Sequence, residues 1–316
     1  DHRDLHRVDR RQRQMCIRDS IIPSFRRLKP TEVINHFERL VREELDLRSQ
    51  QKTRSFFKEE KPVIAMVHLG ALPGTPLYDE DGGLDGILKS AHKDLIALQD
   101  AGVDAVMFGN ENDRPYEFNV DTASTASMAY IIGRLKDDIK IPFGVNVLWD
   151  PIATMALAAA TGAAFVREIF TGTYASDMGF WAPNAGKALR YRKRLGIDNV
   201  ITLFNVSAEF ADSLDQRPLA DRARSAVFSS IPDAVLVSGA ITGEAAKLKD
   251  LESVKKALPQ TPVLANTGVT QNTVEKVFNI ADGCIIGSAL KVDGNTWNPV
   301  DPDRAKSFME LVNKIR

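Results

Sequence analysis

The sequence predicts an α/β protein whose residues from about 61 to 316 form a single (β/α)8 barrel, a TIM barrel of the phosphate-binding type. A short apolar strand, a loop rich in Gly, Asn or Asp and an amphipathic helix follow one another repeatedly, which is typical of a parallel sheet with helical crossovers. Eight such units occupy about 255 residues, the usual size of this barrel. Glycine-bearing loops follow the last two strands, where such barrels bind phosphate.

Each predicted strand is a short run of apolar, often β-branched residues. A glycine such as Gly102 or Gly162 commonly precedes the strand, where a helix ends and a buried strand begins. An open, doubly wound sheet is the alternative fold, and the absence of a GxGxxG motif after the first strand counts against it. The eight strands are predicted at residues 63–68, 105–108, 143–147, 165–169, 200–204, 234–237, 263–265 and 283–286.

The charge balance restricts the kind of partner. With 41 basic and 42 acidic side chains the formal net charge is -1, so no overall field favours nucleic acid or an anionic surface. We therefore expect a small ligand that is recognised locally. No apolar run reaches the roughly 18–20 residues that cross a bilayer, which leaves only peripheral membrane association open. A homo-oligomer is also compatible with the sequence.

Cysteine usage points to a reducing compartment. Cys16 and Cys284 are the only cysteines and lie far apart, so they suggest neither a disulfide framework nor metal-ligand spacing. The N-terminus also lacks the apolar segment of a secretory signal. The expected location is the cytoplasm.

Residues 1–51 differ in composition from the rest and are predicted to be an extension outside the barrel domain, which is assigned to residues 52–316. Residues 1–19 show no useful apolar period, which predicts disorder. Apolar residues at near-helical spacing from Val33 to Leu47 predict one amphipathic helix, which docks on the barrel in one interpretation. In the other, residues 21–50 resemble a fragment of the UbiB family of atypical kinases and residues 11–19 a translated sequencing adapter, which would make the N-terminus chimeric.

The loops after the seventh and eighth strands carry the sharpest functional signal. Glycine lets backbone N–H groups approach an anion, and the start of the following helix adds a partial positive charge. The alternative is that these glycines only form tight turns. Asparagines after the third and fifth strands and a Ser-Gly pair after the sixth are predicted to lie at the same end of the barrel and to extend the binding site. The predicted substrate- or phosphate-binding residues are Asn146, Asn205, Ser238, Gly239, Asn266, Thr267, Gly268, Gly287 and Ser288.

Four residues are candidates for proton transfer. Glu168 ranks first because it ends an apolar strand, where partial desolvation raises the pKa of a carboxyl group. Strand alternation places its neighbour Arg167 on the opposite side, and the sequence leaves open which of the two faces the barrel interior. Asp113 and Glu111 follow on an Asn-rich loop, which is otherwise a solvated turn. His68 ends the first strand, where it reaches substrate or simply forms part of the wall.

No metal ligands are predicted, because no HxH or HExxH spacing is present, and no cofactor is predicted, because the sequence has no dinucleotide-binding motif. The oxygen-rich loop at residues 110–113 leaves a divalent cation open. Aromatic residues at Trp149-Asp150-Pro151 and Phe180-Trp181-Ala182-Pro183 stand beside long loops. They either stack on a ligand ring or close a lid, and we favour the lid.

Several segments between about residues 52 and 316 share a family pattern. They are PVIAMVHL (62–69) with LPG (72–74), GVDAVMF (102–108), IPFGVNVLWDP (141–151), REIFTG (167–172), VLANTGV (263–269) and ADGC (281–284). They resemble the BtpA family of TIM-barrel proteins. The segment FNVSA (204–208) stands where the more common BtpA pattern has a Lys-His-bearing segment, which favours the SgcQ-like branch.

The resemblance implies a barrel like those that bind ribulose phosphates. It also implies two functions, since one family member is linked to photosystem I assembly at a membrane and the SgcQ-like branch to sugar uptake and sugar-phosphate metabolism. We expect a cytoplasmic enzyme, an isomerase, epimerase or lyase, that acts by acid–base chemistry on a small sugar phosphate or phosphoribosyl compound. The alternative is a noncatalytic assembly or regulatory factor that associates peripherally with a membrane.

Overall fold

The structure, a computed structural model, describes residues 61–316. The predictions for residues 1–51, including the amphipathic helix and the chimeric N-terminus, lie outside the described residues, as does the predicted domain boundary at residue 52. In the described part no helix is both long and apolar enough to span a membrane.

The described chain contains eleven strands and eight α-helices. All eight predicted strands are confirmed, with each end within one residue of its predicted place. The strands are β1 Val63–His68, β2 Ala105–Gly109, β3 Phe143–Asn146, β4 Phe165–Glu168, β5 Tyr174–Ser176, β6 Gly179–Trp181, β7 Ile201–Asn205, β8 Ala211–Ser213, β9 Ala234–Ser238, β10 Val263–Asn266 and β11 Cys284–Ile286. The helices are α1 Gly83–Asp100, α2 Thr122–Leu135, α3 Pro151–Thr161, α4 Ala185–Arg194, α5 Leu219–Ser230, α6 Leu248–Ala257, α7 Val274–Phe278 and α8 Pro302–Ile315.

Eight parallel strands close into a barrel in the order β1-β2-β3-β4-β7-β9-β10-β11, with β11 paired back to β1. The closing register places Val63 opposite Cys284, while Ile64 faces Ala105 on the other side of β1. This closure excludes the doubly wound sheet, whose edge strands stay unpaired. The fold is a TIM barrel, as predicted.

The apolar residues form two layers because successive side chains of a strand point to opposite faces. One layer fills the barrel interior and includes Met107, Phe165 and Leu236. The other packs the outer faces of the strands against the helices. Gly144 shows how tightly the interior is filled, since a Cβ atom there would lie 2.2 Å from the Phe165 ring. The interior is a packed core, so a ligand site must lie at an end of the barrel.

A small antiparallel sheet in the order β6-β5-β8 was not predicted. Its strands are three residues long and follow β4 and β7, so they extend from the carboxyl ends of the barrel strands. Such short segments carry no alternating pattern that distinguishes them from loop. The sheet brings Tyr174 and Trp181 into a cluster with Trp149, next to the mouth of the barrel.

Candidate functional site

A cavity that is open to solvent lies at the carboxyl ends of the barrel strands. Its floor is apolar, formed by Met66 and Ile285 of the barrel interior. Its walls combine charged, glycine-rich and aromatic segments from several βα loops. The predicted site residues that line it are His68, Glu111, Asn266, Thr267, Gly268, Gly287 and Ser288.

The other predicted site residues lie near the cavity without lining it. Glu168, Asn146, Asn205 and Ser238 are buried in hydrogen-bond networks around it, Asp113 fastens a loop, and Gly239 packs against a neighbouring loop. The catalytic role predicted for Glu168 and Asp113 stays a prediction, and the cavity itself presents Glu111 and His68.

Arg167 is the member of the Arg167/Glu168 pair that lines the cavity. Its Nη2 donates to both carboxylate oxygens of Glu209, at 2.9 and 3.1 Å, and its Nη1 donates to Asn146 Oδ1 at 2.8 Å. Both partners of the ion pair are almost fully buried, 6% exposed for Arg167 and 4% for Glu209. The Nε of Arg167 is also buried but has no hydrogen-bond partner in the described structure, so it can still donate to a ligand.

Glu209 was not among the predicted site residues. It reaches the site from a loop four residues beyond β7, and an acidic residue at such a distance carries no sequence signal that separates it from ordinary loop polarity. Asn266 Nδ2 donates to Glu209 Oε1 at 3.1 Å and to Ser238 Oγ at 2.6 Å, and Asn205 Nδ2 also donates to Ser238 Oγ, at 2.8 Å. The predicted amides thus hold the ion pair in place from beneath the cavity.

Glu111 and His68 form a buried acid–base pair at the cavity wall. His68 Nε2 lies 3.4 Å from Glu111 Oε1, and both side chains are almost completely buried. Burial lowers the pKa of His68 well below its usual value, and the positive charge of Lys291 adds to this. Burial raises the pKa of Glu111, opposed by the charge of Arg167. Glu111 Oε2 is buried without a partner in the described structure, so it is free to exchange a proton with a ligand.

Lys291 was also missed by the sequence analysis. It follows β11, is 3% exposed, and belongs to a segment of mixed polarity that resembles any surface loop. Burial lowers the pKa of its ammonium group, while the carboxylates of Asp94 and Glu111 oppose the shift. A buried cation behind the wall disfavours a second positive charge on His68, so the imidazole stays neutral at neutral pH.

The glycines of the predicted phosphate loops are constrained by packing. Gly268 has a φ of +62°, and a Cβ atom there would lie 2.1 Å from the backbone nitrogen of Ala245. Gly239 presses equally closely on the carbonyl oxygen of Glu244, and Thr267 Oγ1 donates to that same oxygen at 2.7 Å. The loop around residues 240–246 is therefore clamped against the seventh loop, and tight packing alone accounts for two of the glycines.

Asp113 fastens the second loop to the first. Its Oδ1 accepts from the backbone N–H of Leu72 at 2.8 Å, and its Oδ2 accepts from Asn110 Nδ2 at 3.0 Å. Burial raises the pKa of Asp113 to about 6, partly opposed by the bond from Leu72. Because both oxygens are engaged, the carboxylate holds the loop that carries Glu111.

Glu168 is buried behind the third loop and accepts three hydrogen bonds. Its Oε1 accepts from Asn146 Nδ2 at 2.7 Å and from the backbone N–H of Trp149 at 3.0 Å, and its Oε2 accepts from the N–H of Ile169 at 2.7 Å. Burial nevertheless raises its pKa to about 7, opposed by the positive charge of Arg167. The carboxylate orients Trp149, an aromatic residue of the cavity wall.

We expect the raised pKa of Glu168 to make the stability of the fold decrease as the pH rises. The folded state holds the Glu168 proton up to about pH 7, whereas the unfolded chain releases it near 4.5, so the stabilisation is complete below 4.5 and is lost as the pH rises to 7. We expect the free energy of unfolding, measured with urea, to fall between pH 5 and pH 7 by on the order of 1–2 kcal/mol more in the wild type than in Glu168→Gln. The exposed change Glu310→Gln is the control, and equal slopes for wild type and Glu168→Gln would contradict the expectation.

The aromatic residues were predicted either to close a lid or to stack on a ligand ring, and both roles stay predictions. Trp181 stacks on Phe118 at a centroid distance of 5.4 Å and contacts Trp149 edge-on at 5.0 Å, so these rings form one cluster. Trp149 and Phe210 line the cavity itself. Phe180 is 82% exposed and contributes to neither.

Among residues 61–316, no group of three or more His, Cys, Asp and Glu side chains is arranged to hold a metal ion.

Comparison with known proteins places the chain in a family. The profile of the BtpA family matches residues 59–314. The sgc region protein SgcQ of Escherichia coli is 51% identical over 257 residues, which cover 81% of this chain and 96% of the relative. The photosystem I biogenesis protein BtpA of Synechocystis sp. is 33% identical over 259 residues, covering 81% and 89%.

Among solved structures, phosphoribosyl anthranilate isomerase from Thermus thermophilus superposes with a TM-score of 0.50. The superposition covers 81% of this chain and 100% of the isomerase at 10% identity, which indicates a shared fold and nothing more. The barrel and the matched segments together lead to one conclusion: the chain belongs to the BtpA family.

Proposed function

We propose that the protein is an enzyme that uses acid–base chemistry on a small phosphorylated metabolite, a sugar phosphate or phosphoribosyl compound, as an isomerase, epimerase or lyase. The observation that carries the proposal is the buried Glu111–His68 pair on the wall of the cavity. Proton transfer at a substrate carbon needs a group whose pKa lies near the working pH, and burial raises the pKa of Glu111 in that direction, while it lowers the pKa of His68 and so keeps the imidazole neutral.

Each group has a role that follows from its contacts. Glu111 exchanges the proton with the substrate through its unpartnered Oε2, and His68 shares the proton through Oε1. Arg167 Nε donates to the oxygen on which negative charge develops, since its Nη atoms are already held by Glu209 and Asn146. A cation fixed beforehand in a water-poor site stabilises that charge without reorganising at the moment of reaction.

The phosphate is proposed to bind at the loops after β10 and β11. Gly268, Gly287 and Ser288 line both the cavity and an outer groove, so they form the edge between the interior and solvent. Bare backbone at such an edge allows an anion to be held by N–H groups while the rest of the metabolite reaches inward. Gly287 is pressed against His68, which lies 3.1 Å from its hypothetical Cβ atom, so phosphate and acid–base pair would be close neighbours.

A second candidate is a noncatalytic assembly or regulatory factor that associates peripherally with a membrane. The observation in its favour is the 33% identity to a photosystem I biogenesis protein. An assembly factor does not require a carboxylate oxygen such as Glu111 Oε2, which is buried at a cavity wall without a hydrogen-bond partner, whereas acid–base catalysis does. The enzyme is therefore preferred.

Ligand-induced stabilisation of the protein tests the proposal. Thermal unfolding is followed with ribose 5-phosphate, fructose 6-phosphate and phosphoribosyl pyrophosphate, and a ligand at a hundred times its dissociation constant should add about 2.7 kcal/mol. Gly287→Asp is the negative control, because it places a carboxylate where the phosphate would bind. If no phosphorylated compound shifts the unfolding of the folded protein, the enzyme proposal loses its support and the assembly role replaces it.

A further inference from the structure

Three non-glycine residues with a left-handed backbone meet at the cavity. Trp149 has a φ of +70°, Phe210 of +53° and Thr267 of +80°, and all three line the cavity. Only three other non-glycine residues between 61 and 316 have a positive φ. Bulky residues avoid this conformation, and where it persists the surrounding structure imposes it, often at a ligand site.

The contacts of Trp149 and Phe210 show which interactions hold these residues in the left-handed backbone conformation. The backbone N–H of Trp149 donates to Glu168 at 3.0 Å, and that of Phe210 donates to the carbonyl oxygen of Ala240 at 2.8 Å. The two rings contact each other with centroids 6.4 Å apart, inclined at 59°. Behind them, Trp181 packs against Trp149 edge-on at 5.0 Å. The wall is therefore a preformed pair of inclined aromatic rings, held from behind.

The indole of Trp149 has an unsatisfied donor. Trp149 is 2% exposed, and its Nε1 is buried without a hydrogen-bond partner in the described structure. A buried N–H normally finds an acceptor, because leaving it unpaired costs free energy. The polar groups of the cavity, Glu111 and Arg167, have their own unpartnered atoms, so the site offers a ligand two donors and one acceptor.

From this wall we infer that the ligand carries a planar heteroaromatic ring joined to its phosphorylated sugar, so that the substrate class is a ring-bearing phosphoribosyl compound rather than a simple sugar phosphate. The ring packs on Trp149 and Phe210, and one of its acceptor atoms takes the hydrogen bond from Trp149 Nε1. The phosphate lies at the Gly268 and Gly287 edge. This inference rests on the proposed function for the phosphate, but the ring subsite stands on separate residues.

Four probes separate the two subsites by calorimetric titration of the full chain: ribose, ribose 5-phosphate, uridine and uridine 5′-monophosphate. We expect uridine 5′-monophosphate to bind at least tenfold more tightly than ribose 5-phosphate, and Trp149→Phe to weaken the two uridine compounds about tenfold while leaving ribose 5-phosphate unchanged. Trp297→Phe, a matched change outside the cavity, should alter none of the affinities. Phe210→Leu supplies a second test of the ring wall if Trp149→Phe unfolds.

Each outcome decides between the proposals. Equal binding of ribose 5-phosphate and uridine 5′-monophosphate, or an equal loss for both in Trp149→Phe, overturns the ring subsite and leaves the proposed function in place. Equal binding of uridine and its monophosphate, with no binding of ribose 5-phosphate, supports the ring subsite and overturns the phosphate site. Binding of none of the four to the folded protein overturns both.

Discussion

Arg167→Met is expected to lower the free energy of unfolding by about 3–5 kcal/mol. The substitution leaves the Glu209 carboxylate buried, with its remaining side-chain hydrogen bond coming from Asn266 Nδ2. Glu209 is only 4% exposed, so water is largely excluded from it, and a buried charge without a countercharge strongly destabilises the folded state. The measurement is urea unfolding at neutral pH.

A double substitution separates the ion pair from the loss of packing. Arg167→Met combined with Glu209→Gln removes both charges and keeps an acceptor for Asn266, so it should recover much of the lost stability. The exposed pair of Lys193 and Asp198 is the control, and Lys193→Met should change stability by no more than about 0.5 kcal/mol. A double variant as unstable as Arg167→Met alone would show that packing, and not the unpaired charge, dominates.

Glu111→Gln is expected to reduce kcat by a factor of about 10²–10⁴ once a phosphorylated substrate is in hand. The amide has the shape of the carboxyl group but cannot take up or release the proton, so substrate affinity should change little. The pH profile of kcat/KM should lose the limb that reports Glu111 in the free enzyme. Single-turnover kinetics, together with binding of the same substrate, separate the loss of chemistry from a loss of affinity.

Two further variants make this test specific. Glu310→Gln, an exposed change on α8, should leave turnover unchanged. Glu168→Gln replaces one of the two carboxylate oxygens that accept from the N–H groups of Trp149 and Ile169, so the inferred ring subsite predicts that it weakens binding more than it slows chemistry. If Glu168→Gln abolishes turnover while Glu111→Gln retains it, the proton is transferred by Glu168 and the cavity assignment of Glu111 is wrong.

The two buried carboxylates, Glu168 and Glu111, differ in the hydrogen bonds that they accept. Glu168 accepts three hydrogen bonds from protein groups, whereas Glu111 Oε2 accepts none in the described structure. A carboxylate whose lone pairs are engaged is suited to holding its neighbours, and one with a free oxygen at a cavity wall is suited to exchanging a proton. Burial raises the pKa of both, so the shift alone does not distinguish them.

Local sequence determined the barrel. Each parallel strand is a short apolar run bounded by turn residues, and that signal is complete within the segment, which is why both ends of all eight predicted strands fall within one residue of the observed ones. The end at which the site forms also follows from the sequence, because parallel strands place their carboxyl ends together. For the same reason, the predicted residues His68, Glu111, Asn266 and Gly287 meet in one cavity.

Tertiary structure alone decided which groups face that cavity. Alternation places Arg167 and Glu168 on opposite sides of β4, but only the curvature of the closed barrel determines which side is inside. Glu209, Lys291 and Phe210 reach the site from loops whose path depends on what they pack against, as does the small sheet that holds Trp181 behind Trp149. Loop paths and unpaired buried atoms are properties of long-range packing, so no local pattern in the sequence records them.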